Sequence, residues 1–302
     1  MNINFEYYKA FYYVGKYKNI TKASAAMGSN QPNVTRIMKL LESALKCNLL
    51  IRGARGISLT KEGERLYAHV EIAFEHLQTA QDEIYNHAAS GTGTVTVGAT
   101  ETALHLYLLD TLQEFKRLYP RARVIIHNYT TPYIMQTLAS GRLDFALLTT
   151  PFELPQSFSR KELFSFQEIL AGGIYYRSLC RQKQDLHDLT DIPWIGLGSG
   201  TATYELYKNF FLKEHVKIEP DMEVATSDLL LPLIENNLGI GFVPERMAKT
   251  LLNEKKIVEI PLNCKTPSRS ICIVYDKGRG SGAIADELRR YLMGVRANGH
   301  RY

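Results

Sequence analysis

The amino-terminal fold is decided by the stretch from Ile20 to Leu45, which reads ITKASAAMGSNQPNVTRIMKLLESAL. Thr21 is a suitable cap for a short helix, rich in alanine, that would run to Met27 and permit close packing against a neighbour. Gly28 ends that helix, because a left-handed C-cap favours glycine. The sequence therefore predicts a short helix followed by a tight turn.

A second helix follows this turn, capped by Ser29 or Asn30 and carrying Pro32 in its first turn, where a missing N–H costs nothing. Its apolar stripe at helical spacing consists of Val34, Ile37, Met38, Leu41 and Leu45. Its opposite face carries the polar side chains of Gln31, Asn33, Thr35, Arg36 and Lys39. Amides pair well with adenine and guanidinium with guanine, so the pattern indicates a helix-turn-helix that reads a major groove. An ordinary helical hairpin with a solvated face is the alternative.

Residues 51–59, IRGARGISL, indicate two short strands around a glycine-bounded turn. Arg55 at the tip would reach a minor groove or backbone phosphates, as a wing does. A plain surface hairpin is the alternative. The predicted DNA-contacting residues are Thr21, Ser29, Gln31, Asn33, Thr35, Arg36, Lys39, Arg52 and Arg55.

The next segment is a long polar helix predicted over residues 60–89, with Thr60 as its cap. Apolar positions along it alternate in steps of four and three, the heptad period of helices that wrap around one another. The predicted dimerisation seam consists of Leu66, Val70, Ala73, Leu77 and Ile84. Packing of the same stripe on the chain's own core is the alternative. A dimer would place two helix-turn-helix units on one duplex and would require a two-fold symmetric operator.

Charge and composition agree with contact to nucleic acid. The chain has 302 residues and a formal net charge of +5, and residues 1–60 hold nine lysines and arginines against two acids. This positive excess lies where phosphates would be met. The sequence contains no apolar run of about 18 residues and no secretory signal, so we expect a cytoplasmic protein without membrane contact. The four cysteines form no Cys-x-x-Cys pair, so we expect neither a metal site nor a disulfide framework, and no cofactor.

Residues 90–93 lie in a run of small and turn-forming residues and are predicted to form a hinge. Beyond them, short apolar runs alternate with helix-length segments, which predicts βαβ units with a largely parallel sheet. The runs are residues 95–97, 124–127, 145–148, 194–197, 240–243 and 271–275.

Hydroxyl side chains follow several of these predicted strands, at the sheet edge where α/β proteins bind ligands. The predicted effector-binding residues are Thr100, Thr102, Thr149, Ser199, Thr201 and Thr226. Together with helix-terminal N–H groups, such hydroxyls suit a small carboxylate or similar anion. Helix capping is the alternative for each threonine taken singly.

The chain resembles the LysR-type transcriptional regulators, closely over residues 3–66 and more loosely beyond. The amino-terminal similarity rests on residues 19–26 (NITKASAA), 29–37 (SNQPNVTRI) and 59–63 (LTKEG). Later landmarks are residues 141–146 (GRLDFA) and 239–244 (GIGFVP). Asn33 and Thr35 stand where the family often has smaller residues, which would alter operator preference.

The resemblance implies an α/β fold class with an N-terminal winged helix-turn-helix (1–59), a linker helix (60–89) and an effector domain (94–302). That domain would contain two subdomains, like those of a periplasmic binding protein: subdomain I at 94–165 and 268–302, and subdomain II at 166–267. The resemblance also implies homodimers that pair into tetramers, promoter DNA as a partner, a small effector bound between the subdomains, and contact with RNA polymerase.

Two other classes of protein are alternatives. A small-molecule-binding protein of the solute-binding type would suit residues 94–302 alone, but the missing signal and the basic amino terminus oppose it. A metabolic α/β enzyme with a helical appendage is the second alternative. The sequence contains no Gly-x-Ser-x-Gly elbow, phosphate loop, His-Glu-x-x-His motif or dinucleotide glycine fingerprint, so we predict that the protein is not an enzyme.

Overall fold

The computed structural model describes residues 3–53, 56–86 and 92–294. The chain divides into two compact units, Met1–His87 and Ala88–Tyr302, called here the amino-terminal unit and the carboxy-terminal unit. Among the described residues, no helix combines the length and apolar character needed to cross a bilayer.

The amino-terminal unit is helical, with one small hairpin. Its elements are α1 (Phe5–Tyr17), α2 (Ile20–Ala26), α3 (Gln31–Leu45), β1 (Leu50–Gly53), β2 (Gly56–Leu59) and α4 (Lys61–Asn86). The core combines Phe11 and Val14 of α1 with the predicted apolar stripe of α3, of which Met38 and Leu41 are fully buried. Burial of this stripe turns the opposite, polar face of α3 outward.

The turn between α2 and α3 differs in one detail from the prediction. Asn19, not Thr21, caps α2: its side chain accepts a hydrogen bond from the backbone N–H of Lys22 at 3.0 Å. The prediction for Thr21 was wrong because an asparagine two residues earlier is the stronger cap. Gly28 has a φ of 60°, as the left-handed turn requires, and Asn30 caps α3.

The hairpin and the start of α4 are fixed by short polar contacts. The Thr60 hydroxyl accepts a bond from the N–H of Gly63 at 2.9 Å, which confirms the predicted cap, and donates to the carbonyl of Asn48 at 2.7 Å. A side chain at position 63 would collide with the Leu49 carbonyl, since a Cβ there would lie 2.2 Å from that oxygen. Glycine is therefore what allows α4 to pack against this backbone.

Only some residues of the predicted dimerisation seam on α4 are exposed and available to a partner helix. Val70 is 6% exposed and Leu66 is partly buried, and both pack in the unit's own core. The assignment of Val70 to a dimer seam is therefore corrected, because the first three turns of α4 help to close the helix-turn-helix core. Leu66 is only partly buried and stays a predicted seam residue. Ala73 and Leu77 are exposed, Leu77 to 45%. The side chain of Ile84 lies outside the described residues.

The carboxy-terminal unit is a mixed α/β structure. Its first half contains β3 (Gly93–Ala99), α5 (Glu101–Ala103), a π-helical turn (Leu104–Leu108), α6 (Leu109–Leu118), β4 (Ala122–Asn128), α7 (Thr131–Ala139), β5 (Phe145–Thr149) and β6 (Phe158–Gly173). Its second half contains 3-10 turns at Ile174–Arg181 and Leu186–Leu189, β7 (Ile195–Leu197), α8 (Ala202–Lys213), β8 (Met222–Val224), a 3-10 turn at Ser227–Leu229, α9 (Leu230–Glu235), β9 (Ile240–Pro244), α10 (Glu245–Asn253), β10 (Ile257–Glu259), β11 (Ser268–Asp276) and α11 (Ala283–Leu292).

The main sheet has the order β10-β6-β11-β5-β3-β4, with β9 also paired to β6. Only β3 with β4 and β3 with β5 are parallel in it, and β7 pairs with β8 in parallel nearby. The pairings of β6 with β9, β10 and β11, and of β11 with β5, are antiparallel. The prediction of a largely parallel sheet was therefore wrong, because β6 and β11 run between the two halves without a helical crossover.

Strand β6 belongs to two half-sheets. Its residues from Phe158 to Gln167 pair with β11, whereas Glu168 to Gly172 pair with β9. Separate cores lie on either side of this crossover: one contains Phe115 and Phe145, the other Trp194 and Phe242. We keep the names subdomain I for the part with β3–β5 and subdomain II for the part with β7–β10.

Candidate functional site

The outward face of α3 presents the polar side chains predicted to read DNA. Gln31, Arg36 and Lys39 are exposed, and Asn33 and Thr35 are partly exposed, while Val34 on the opposite side is fully buried. These groups are therefore available to a partner from solvent.

Hydrogen bonds hold several of these side chains in place. The Asn33 amide donates to the Ser29 hydroxyl at 3.1 Å, and its oxygen accepts from the Arg36 guanidinium at 3.3 Å. The Gln31 amide donates to the hydroxyl of Thr21, which links the starts of the two helices. Thr21 is thus at the surface although it is not the cap. An ordered row of amide, hydroxyl and guanidinium groups is suited to base edges and phosphates.

The predicted wing is present as a two-stranded hairpin, but the structure describes the side chains of neither of its arginines. Strands β1 and β2 pair antiparallel, Leu50 opposite Leu59, as the wing prediction required. Arg55 and the side chain of Arg52 lie outside the described residues, so their assignment to DNA stays a prediction.

The carboxy-terminal unit contains a buried polar group at the crossover between its subdomains. We call Thr149, Glu168, Thr203, Tyr207 and Arg269 the crossover cluster. Arg269 lies on β11 and Glu168 on β6, each almost fully buried, and their side chains form an ion pair of 3.0 Å.

Arg269 also joins elements of both subdomains. Its Nη2 donates to the Thr149 hydroxyl at the end of β5 and to the Thr203 hydroxyl on α8, both at 3.1 Å. Its Nε donates to the backbone carbonyl of Thr150 at 2.7 Å. One guanidinium therefore fixes the carboxyl end of β5, the long strand and α8 relative to each other.

The acidic and phenolic groups of the cluster have shifted pKa values. Burial raises the pKa of Glu168, and the adjacent Arg269 charge partly offsets that rise. Burial, followed by the nearby Glu168 carboxylate, raises the pKa of Tyr207 well above its usual range. Both shifts follow from removing charge from water. The Tyr207 hydroxyl is buried beside the Glu168 carboxylate, which brings α8 next to β6.

Three predicted effector residues lie at or just after the ends of β3 and β5, and together with Ser227 we call Thr100, Thr102 and Thr149 the polar edge. Thr149 binds Arg269, as above, and Thr102 donates from its hydroxyl to that of Ser227 at 3.3 Å, a contact between the subdomains. The Thr100 hydroxyl is buried and has no partner among the described residues. A buried, unpaired hydroxyl is costly, so a ligand at this edge would gain from satisfying it.

The remaining predicted effector residues are less closely associated with this edge. Thr201 caps α8, accepting from the N–H of Tyr204 at 3.0 Å and donating to the Gly198 carbonyl, which is the capping alternative. Ser199 is exposed, and Thr226 precedes a 3-10 turn without a side-chain capping bond.

Arg269 and Glu168 are not among the site residues predicted from the sequence. Each is a charged residue beside an apolar run of its strand, Glu168 just before Ile169 and Arg269 two residues before Ile271. A charged side chain buried at such a position must find a partner of opposite charge. That signal was present in the runs around residues 166–173 and 269–275. Over the described ranges, histidines, cysteines and acids form no group that could hold a metal ion.

A helix-turn-helix with an exposed polar helix, joined to an α/β unit with a polar crossover, defines a DNA-binding regulator with a ligand-binding domain. The family model for the bacterial regulatory helix-turn-helix protein of the lysR family matches residues 5–64, and that for the LysR substrate binding domain matches residues 88–296. The chain therefore belongs to the LysR family of DNA-binding transcription regulators.

Relatives and a solved structure match this chain over nearly its whole length. The HTH-type transcriptional regulator YofA of Bacillus velezensis is 24% identical over 289 residues, 96% of each chain. The hydrogen peroxide-inducible genes activator of Haemophilus influenzae is 23% identical over 291 residues, 94% of this chain and 96% of that one. Full-length CbnR complexed with its target DNA superimposes with a TM-score of 0.72 at 18% identity, covering 96% of this chain and 98% of CbnR.

Proposed function

We propose that α3 reads the major groove of an operator through Gln31, Asn33, Thr35 and Arg36, with Lys39 and the wing on phosphates. The supporting observation is the exposed, hydrogen-bonded polar row on a helix whose other face is buried. CbnR, a protein of similar fold, has been solved with its target DNA. An arginine that contacts a guanine contributes sequence discrimination, whereas a phosphate contact contributes affinity alone.

The variant Arg36→Ala tests this assignment. We expect a loss of about 1–3 kcal/mol in binding to the operator and a much smaller loss on random duplex of equal length. Arg117→Ala, an exposed arginine of α6, is the matched control and should bind both duplexes as the parent does. Equal losses on operator and random duplex would assign Arg36 to the phosphates instead of the bases.

We propose further that the small effector binds at the polar edge between the subdomains, where Thr100, Thr102 and Thr149 come together with Ser227. Hydroxyl donors suit a carboxylate or similar anion. The Arg269 charge is already matched by Glu168, so an effector anion would depend mainly on hydroxyl and backbone donors. Binding there would change how subdomain I and subdomain II are oriented and so shift the state of the DNA-bound protein.

The effector proposal is tested by Thr100→Val. This nearly isosteric change should weaken effector binding about tenfold or more in calorimetry, since one hydrogen bond to a charged group contributes roughly 1.5–3 kcal/mol, and it should leave DNA affinity unchanged. Thr137→Val on α7, whose hydroxyl bonds only its own helix at the Tyr133 carbonyl, is the control. Unchanged effector affinity in Thr100→Val would place the ligand elsewhere.

The proposal also covers where the protein acts and how it assembles. The protein would act in the cytoplasm as a homodimer, assembling into tetramers, and would carry out no catalysis. The exposed side chains of Ala73 and Leu77 on α4 support a dimer contact. RNA polymerase would respond to the DNA-bound complex.

Cysteine-based peroxide sensing is the second candidate, suggested by the relative from Haemophilus influenzae. Burial raises the pKa of Cys180, Cys264 and Cys272. A higher pKa lowers the fraction of thiolate, which is the form that peroxide attacks. The structure of these sites therefore favours a bound effector over thiol oxidation as the signal.

A further inference from the structure

Subdomain II contains a cavity that is separate from the polar edge between the subdomains. It lies between α8 and the β7–β8 pair and has a volume of about 160 Å³. Its walls are mainly apolar and aromatic; the lining includes Trp194, Tyr207, Phe211, Val216, Ile218 and Phe242.

The rings around the cavity are already arranged for ring–ring contact. Tyr207 stacks on Phe242 with ring centroids 4.7 Å apart and planes at 10°, and Trp194 meets Phe211 edge to face at 5.4 Å. A further ring in contact with this group would gain both buried area and aromatic packing. The exposed residues Lys208 and Leu212 also line the space, so it can be reached from solvent.

The volume of the cavity and the charges around it restrict the class of ligand that can bind. An apolar cavity of roughly 150 Å³ is known to bind benzene, so about 160 Å³ holds one six-membered ring. The charged residues of the lining, Lys208, Lys217 and Glu219, are all exposed to solvent. Glu168 and Arg269 are buried but paired with each other, so no unpaired buried charge faces the rings. A ligand that placed a charge among the rings would therefore lose its hydration without compensation.

We propose that this cavity is a second ligand site, which takes a small uncharged aromatic molecule of a single ring. The site adjoins the crossover cluster, since Thr203 and Tyr207 belong to that cluster and also line the cavity. An occupant would therefore touch residues that connect the two subdomains. Tyr207 forms part of the cavity wall, and its hydroxyl is buried beside Glu168 of the crossover cluster.

The single tryptophan of the chain provides a direct readout, because Trp194 lines the cavity. Bromobenzene is a suitable probe: its heavy atom quenches indole fluorescence on contact. With the full-length protein we expect saturable quenching of Trp194, at concentrations where free tryptophan is quenched only in proportion to the probe. Quenching of the protein that rises linearly, without saturation, would overturn the proposal.

Two matched variants locate the binding. Ile218 and Ile192 are both partly buried and pack on the same core, but only Ile218 lines the cavity. Ile218→Phe should fill the space and weaken saturable quenching at least tenfold, whereas Ile192→Phe should leave it unchanged. Equal behaviour of the two variants would refute this location.

A measurement on the parent protein guards against misfolded variants. Crystals of the full chain soaked in bromobenzene should show an anomalous bromine peak within contact distance of Phe242 and Tyr207. Bromine found only outside subdomain II would exclude the proposed site. Operator binding by the parent and by both variants would be measured alongside, so that failure here is distinct from failure of the DNA-binding proposal.

Discussion

Breaking the ion pair between Glu168 and Arg269 by removing one partner is expected to cost far more than breaking an exposed pair among the described residues. The variant Arg269→Met removes a guanidinium that donates to Glu168, Thr149, Thr203 and the Thr150 carbonyl at 2.7–3.1 Å. It leaves a buried carboxylate without its counter-charge. Breaking such a pair by removing one partner costs about 3–5 kcal/mol, a large part of the 5–15 kcal/mol that stabilises a typical domain.

Chemical unfolding followed by Trp194 fluorescence measures this loss, since the only tryptophan of the chain lies in the core of subdomain II. The double variant Glu168→Met with Arg269→Met should be more stable than Arg269→Met alone by about 2 kcal/mol, because no buried charge remains. Lys256→Met is the control: its ion pairs with Glu254, at 3.0 Å, and with Glu235, at 3.4 Å, lie at the surface, and their loss should cost at most about 1 kcal/mol. A double variant no more stable than the single one would refute the argument.

The pH dependence of the single variant gives an independent check. Burial already raises the pKa of Glu168 in the parent, and loss of Arg269 removes the charge that offsets this rise. A carboxyl whose pKa is higher in the folded than in the unfolded state stabilises the fold when protonated and loses that contribution as the pH rises. The cost of Arg269→Met should therefore be smaller at about pH 5 than at about pH 8. A cost that grows as the pH falls would contradict the assignment.

Two further predictions concern oligomerisation and thiol chemistry. Leu77→Asp should shift sedimentation from dimer toward monomer, because it places a charge on the exposed seam. Glu71→Asp on the same helix serves as the control. If Leu77→Asp leaves the dimer unchanged, the dimer contact lies elsewhere. Replacing Cys180, Cys264 and Cys272 by serine should leave the response to effector unchanged. If the parent responds to hydrogen peroxide and this triple variant does not, the signal is thiol oxidation and not a bound effector.

The sequence predicted the helix-turn-helix well because its signals are local. The apolar stripe of α3, Gly28 and the Thr60 cap each act within a few residues, so spacing alone specifies them. The prediction of a dimer contact through Val70 was wrong, since the heptad period does not say whether the stripe meets a partner helix or the chain's own core. Only the position of α1 decides that, and it is a matter of tertiary packing.

The carboxy-terminal unit was predicted less completely, and the reason is the distance between partners along the chain. Arg269 and Glu168 are about a hundred residues apart, and Thr149 is farther still from Arg269. The strand-end threonines were found because hydroxyls after apolar runs are a local pattern. Their grouping around one guanidinium depends on how β6 and β11 pair, which the residue pattern by itself does not contain.

The order of strands in the main sheet has a consequence for synthesis. Strand β5 lies between β3 and β11, but β11 begins only at Ser268, more than a hundred residues later. While the chain is emerging from the ribosome, the edge of β5 that pairs with β11 stays unpaired until nearly the whole polypeptide has been made. Such an edge favours pairing with other chains. A nascent chain that stalls before β11 should therefore aggregate or require a chaperone.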